Sequence, residues 1–199
     1  MRKVTGPLGK PLTAFYGLIN GDRTAVIEMA AASGIEHIKQ EERDPLVATT
    51  YGVGELIRSA LEQGARHIIL GLGGSATNDG GCGMAQALGA SLFDVDGHEL
   101  PVGGAALINL DSIDLSGLDP RIKEVQIEAA TDVTNPLTGV TSASAIFGPK
   151  KVQTPTRLLS WIRHLEGSLR LYDATINKRF RSSPEVVRQA VWGPELSFS

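Results

Sequence analysis

The run Gly71-Leu-Gly-Gly-Ser-Ala-Thr-Asn-Asp-Gly-Gly-Cys-Gly83 constrains this chain more than any other segment. It directly follows His67-Ile-Ile-Leu70, which reads as a strand. Six glycines let the backbone take positive φ and let a ligand approach the main chain closely. Main-chain N–H groups in such a loop, running into a helix start, make an anion site. Asp79 is out of place in a plain phosphate loop. A carboxylate beside an anion site points to a metal ion or a substrate hydroxyl between them. The combination predicts phosphoryl-transfer or sugar-acid chemistry at the end of a strand.

Two other readings compete. A tight strand-to-helix turn needs glycine, but not four polar side chains clustered with it. A dinucleotide site is the sharper rival. Gly71-Leu-Gly73-Gly-Ser-Ala76 fits G-x-G-x-x-A, and Asp94 ends the next expected strand, where a ribose-binding acid belongs. That reading would make the chain a domain of an oxidoreductase. Against it, Gly80 and Gly81 would fall in the first helical turns, costing roughly 1 kcal/mol each. The Walker pattern G-x-x-x-x-G-K-[ST] is absent from the chain.

The 199 residues suffice to bury about 70% of the unfolded surface. A net charge of −3 gives no electrostatic case for nucleic acid. Positive charge gathers only between Arg157 and Arg188, as on a solvated helix face. Cys82 is the only cysteine, so neither a disulfide nor a cysteine metal cluster can form within the chain. No apolar run is long enough for a signal peptide or a membrane span, and the default expectation is a cytoplasmic protein.

Periodicity sets the remaining elements. Residues 12–18 and Thr24–Glu28 flank the hairpin signal Asn20-Gly21-Asp22. Met29 to Ala32 reads as a short helical turn. Val53, Leu56, Ile57, Ala60 and Leu61 make one helical face, capped by Thr49 or Thr50 and stopped by Gly64. A short helix from about Gly81 to Leu88 follows the glycine loop. Residues 90–93, 108–113 and 124–131 read as strands. Thr154 and Pro155 start a last helix, whose stripe runs through Leu158, Ile162, Leu165, Leu169, Tyr172 and Ile176.

Five segments, in order, carry a resemblance: Thr5–Gly9, Glu28–Gly34, Gly52–Ile57, Gly73–Gly81 and Asp132-Val-Thr-Asn-Pro-Leu137. Phe147-Gly-Pro149 continues it. The chain resembles the type I glycerate kinases from Val4 to about Lys151, and more loosely through the last helix. The resemblance implies an ATP- and magnesium-dependent kinase acting on D-glycerate, mostly yielding 2-phosphoglycerate in bacterial members. It also implies two α/β domains with the active site in the cleft between them. One domain is Rossmann-like and is built from both ends of a longer chain.

This chain matches the middle segment. The expected fold is therefore α/β: a mixed-sheet middle domain over residues 4–183, its last element the C-terminal helix, then a divergent tail over residues 184–199. The family's terminal motifs have no counterpart here, and Ser142 and Val152 stand where the family tends to have glycine. The expectation is a truncated chain, incomplete as a catalyst, with a non-catalytic remnant that binds a partner as the alternative. An exposed interdomain face would then favour self-association.

The resemblance also nominates residues. Gly73, Gly74, Ser75, Thr77, Asn78, Gly80 and Gly81 would hold glycerate or the phosphoryl group. Asp79 and Asp132 would be catalytic, with Mg²⁺ as their metal. Asn135 and Lys150 would meet substrate or phosphate. Each has a plainer reading beside it. Asp79 suits an Asx-turn or a helix cap, Asn135-Pro136 a turn, and Lys150 a solvated surface. On the catalytic reading, replacing Asp79 by Ala lowers turnover and leaves the fold intact. Glu55, His67 and Cys82 read as structural.

Overall fold

Alternating burial explains the central strands. In β4 (Thr24–Glu28) Ala25 and Ile27 are buried while Val26 and Glu28 are exposed. In β5 (His67–Gly71) Ile68 and Leu70 are fully buried, and in β8 (Gln126–Ala130) Ile127 is buried. Successive side chains of a strand point to opposite faces, so each strand presents one apolar face to the core. The computed structural model describes residues 1–130.

The four-stranded sheet has the order β3-β4-β5-β8, where β3 is Gly17–Ile19. β3 runs antiparallel to β4, whereas β4, β5 and β8 are parallel. The register aligns Ala25 with Ile68 and Ile127, and Glu28 with Gly71 and Ala130. The crossovers from β4 to β5 and from β5 to β8 step the same way across the sheet. Right-handed connections then fall on one face. There α2 (Tyr51–Glu62) contributes Val53, Leu56, Ile57, Ala60 and Leu61 to the core. Met84 of α3 (Cys82–Ala87) and Leu88 join the same cluster. This is the mixed-sheet α/β fold expected from the sequence. The C-terminal helix and the tail of that expectation lie outside the described residues.

A hairpin of β1 (Arg2–Thr5) and β2 (Pro11–Ala14) covers one end of α2. Glu55 ties the two together, its carboxylate accepting from the Thr5 N–H at 2.6 Å. Glu55 is structural, as its position suggests. The expected strand over residues 12–18 splits into β2, which pairs with β1, and β3, which pairs with β4. Between them Tyr16 turns its hydroxyl to Ser59 of α2, 3.1 Å away. Asn20, Gly21 and Asp22 all have positive φ and close the β3–β4 hairpin.

The helix α1 (Met29–Ser33) follows β4 without a break. The strands β6 (Ser91–Phe93) and β7 (Ser112–Asp114) form a separate antiparallel pair. The strand expected over residues 108–113 is only partly present. Residues Gly104–Asn109 form a 3-10 helix, with Gly104 and Leu107 buried three residues apart and Ile108 exposed. An apolar run with period three faces inward as a helical turn, so the pleat begins only at Ser112.

Candidate functional site

The glycine loop leaves the sheet at Gly71, at the carboxyl ends of the parallel strands. Ligands of open α/β sheets gather at this edge. The Leu72 N–H donates to the Ala130 carbonyl at 3.1 Å, extending the pairing by one residue. The loop then crosses to the end of α1. Gly74 O accepts from the Ile35 N–H at 2.9 Å, and the Ala76 N–H donates to Ser33 O at 2.8 Å. These bonds fix a loop that glycine alone would leave loose. Gly74, at φ 72°, is the left-handed residue of its outer turn.

The loop has two halves. Gly73 and Gly74 are exposed and Ser75 is half-buried, forming a lip. The Ser75 hydroxyl accepts from the Thr77 N–H at 3.0 Å and lies 2.7 Å from the Thr77 hydroxyl. From Ala76 onward the chain is buried, including Thr77, Asn78, Asp79, Gly80 and Gly81. Of the nominated residues that are described, only Gly73 and Gly74 are exposed. Asp132, Asn135 and Lys150 lie outside the described residues.

Asp79 is 1% exposed, and its carboxylate gathers donors from two helix starts. Oδ2 accepts from the Thr50 N–H at 2.8 Å, the Thr50 hydroxyl at 2.9 Å and the Gly83 N–H at 3.2 Å. The Thr49 hydroxyl approaches the same oxygen at 3.4 Å, and Oδ1 accepts from the Gly81 N–H at 3.2 Å. Thr50 in turn accepts from the Met84 N–H at 2.9 Å. Asp79 therefore satisfies otherwise orphaned amides at the start of α3 and links them to the start of α2. The side chain of Thr50, which precedes α2, makes no cap bond of its own. The helix-cap reading of Asp79 is thus realised in this geometry. Its oxygens are taken up internally, which does not fit the several oxygen ligands and waters of Mg²⁺.

Burial pushes the Asp79 carboxyl above its ordinary value, against the Thr50 amide and hydroxyl and the Gly81 and Gly83 amides, which pull it down. The folded state then binds more protons than the unfolded state between the two pKa values. The stability this group contributes is present in full below its unfolded pKa and is lost as pH rises through its folded pKa. Urea melts at several pH values from about 4 upward should show this. The stability gap between the native chain and Asp79→Asn should narrow with rising pH. The neighbouring Cys82 thiol is pushed well up by burial and then by the Asp79 charge. That suits packing and not nucleophilic attack.

The dinucleotide reading fails on topology. A Rossmann helix should begin at the glycine motif, yet α3 starts only at Cys82. Asp94 follows β6, which pairs with β7 and not with the parallel sheet. Its Oδ1 accepts from the Asp96 and His98 N–H groups at 3.0 and 2.8 Å, closing a turn. The residues that sequence reasoning passed over are Thr49 and Thr50, read only as helix caps, and Glu28. For Glu28 the sequence shows only a charged residue that ends an apolar strand just before a helix; its place beside Gly71 comes from the strand register.

The comparisons agree with this layout. A model of the glycerate kinase family matches residues 1–189. The chain is 57% identical over 155 residues to a glycerate kinase of Bacillus subtilis (strain 168), covering 78% of this chain and 41% of that protein. It is 53% identical over 175 residues to a glycerate 2-kinase of Escherichia coli (strain K12), covering 88% of this chain and 45% of the relative. The crystal structure of a candidate glycerate kinase 2 from Salmonella typhimurium LT2 superposes with a TM-score of 0.81 at 54% identity. That match covers 89% of this chain and 47% of the other. This chain thus spans less than half the length of these relatives. The chain belongs to the glycerate kinase family.

Proposed function

We propose that this chain supplies the acceptor-binding segment of a kinase that transfers the γ-phosphoryl group of ATP to D-glycerate, giving phosphoglycerate and ADP. The relative described as a glycerate 2-kinase favours 2-phosphoglycerate as the product. One observation carries the reading: a lip with exposed Gly73 and Gly74 and half-buried Ser75 at the carboxyl end of a parallel strand in a chain of this family. Backbone N–H groups there suit a carboxylate or a phosphoryl oxygen. The buried half of the loop, from Thr77 to Gly81, holds the lip in place, and Asp79 acts as a positioning residue. Asp132, two residues beyond β8 in sequence, is the carboxylate we assign to Mg²⁺, and Asn135 and Lys150 are the residues we assign to substrate or phosphate. When bound, Mg²⁺ neutralises phosphate charge during transfer.

The unit extends over residues 4–183 in this reading, with residues 184–199 as a divergent tail. The cytoplasm, where ATP is supplied, is the compartment it implies. Among the described residues no helix is long and apolar enough to cross a membrane. Phe15, Ile19, Val26 and Val47 are exposed, and the proposal includes self-association through such apolar surface, which sedimentation at several concentrations reads directly.

Calorimetry with D-glycerate and detection of D-glycerate-dependent ADP release by the 199-residue chain test the reading. Binding of D-glycerate without ADP release by this chain alone is the expected result; no binding of D-glycerate overturns the reading. Gly73→Ala sharpens the test. A Cβ at Gly73 meets no described atom within 4 Å, so the fold should keep its melting temperature. The added methyl should still keep a ligand off the lip amides, weakening D-glycerate binding about tenfold, the size of one charge-assisted hydrogen bond.

A further inference from the structure

With Asp79 sequestered, the edge of the sheet still carries a carboxylate. Glu28 is the last residue of β4, directly beside Gly71 in the register. Ala25 and Ile27 point into the core, so Glu28 lies on the opposite face and is exposed. It precedes α1 yet makes no side-chain cap bond, and its carboxylate has no hydrogen bond or ion pair with any described residue. Its neighbour Gly71 has no side chain. A Cβ there would meet, among the described residues, only Ile27 O, at 3.9 Å, so no described atom crowds the space beside Glu28. The exposed glycines of the lip, Gly73 and Gly74, begin two residues further on.

We propose that Glu28 accepts the hydrogen bond of a substrate hydroxyl while the lip amides hold the carboxylate of the same molecule. An ionised carboxylate is an acceptor only, and the lip offers donors. A ligand bridging them must carry both a hydroxyl and an anionic oxygen, which defines a hydroxy acid. A divalent cation fits less well, because it needs several oxygen ligands. Among the described residues, the row of Glu28 offers no second carboxylate, since Gly71 and Ala130 carry none. The inference rests on the hydroxy-acid kinase reading and assigns one of its contacts.

Electrostatics gives the test a sign. Glycerate is an anion, so removing a nearby negative charge should by itself tighten binding. Calorimetry of the full chain with D-glycerate should instead show Glu28→Gln weakening binding about tenfold, as loss of a hydrogen bond to a charged group requires. Glu28→Asp, which withdraws the carboxylate by one methylene, should also weaken it. Lactate and 3-hydroxypropanoate each lack one hydroxyl. The analogue lacking the contacted hydroxyl should bind Glu28→Gln no more weakly than it binds the native chain. Unchanged or tighter D-glycerate binding by Glu28→Gln overturns the contact and leaves the kinase reading standing. Equal losses for both analogues also overturn it, as does a loss seen only with Mg²⁺ present or a variant that fails to fold. Absence of D-glycerate binding by the native chain overturns the contact and the kinase reading together.

Discussion

Asp79→Ala is expected to lower the stability of this chain by about 3–5 kcal/mol, enough to leave a marginal domain largely unfolded. The methyl group accepts no hydrogen bond. Three backbone donors, the N–H groups of Thr50, Gly81 and Gly83, then lose their acceptor inside the protein. Each unsatisfied buried group costs about 1–3 kcal/mol, and relaxation or an entering water recovers part of the sum. Asp79→Asn should cost less, about 2 kcal/mol, because its amide oxygen can still serve the cluster around Thr50. Its NH₂ would then face the Gly81 N–H, donor against donor. Urea denaturation of the three proteins measures the series directly. A change of less than about 0.5 kcal/mol for Asp79→Ala would return Asp79 to a role outside the folding of the loop.

That expectation follows the helix-cap reading of Asp79, which the sequence left open beside the catalytic one. The ambiguity has a physical cause. A glycine-rich loop shows its own composition but not what packs over it. Gly81 and Gly83 are local donors to Asp79, but Thr49 and Thr50 lie 30 and 29 positions earlier, and nothing local reveals that pairing. Local patterns fared better. The stripe from Val53 to Leu61, the stop at Gly64 and the turn at Asn20–Asp22 were legible because each depends on neighbours within one or two turns of chain. The alternation around Val125, Ile127 and Ala129 likewise announced β8. Residues 12–18 misled because one extended run serves two different sheets, a choice made by tertiary packing. At the site, the lip from Gly73 to Ser75 could be read from glycine content. Glu28 could not, since its role depends on strand register placing it beside Gly71.

The second large effect is expected at Gly54→Ala, and there two principles oppose each other. In an ordinary helix interior this change stabilises by about 1 kcal/mol, since alanine restricts the unfolded chain and favours helix. Gly54, however, faces α3. A Cβ built there would strike the Met84 carbonyl oxygen and lie 2.6 Å from the Ala87 Cβ and 3.1 Å from the Met84 carbonyl carbon. Two of those three atoms are backbone, so no side-chain rotation relieves them and the helices must separate. Overpacking of this kind costs about 1–3 kcal/mol and more where backbone must move. The net expectation is a loss of about 2 kcal/mol, opposite in sign to the propensity effect. Adding Ala87→Gly removes the side-chain contact but leaves the carbonyl, so the double variant should recover only part of the loss. The loss should also reach the loop. Thr50 precedes α2 and Gly83 lies in α3, and both donate to the same Asp79 oxygen. Moving the helices apart lengthens at least one of those bonds, and hydrogen exchange at the Gly83 amide should accelerate in Gly54→Ala beyond the change expected from global stability alone. A Gly54→Ala chain more stable than the native one would mean that α2 and α3 pack more loosely than this geometry has them.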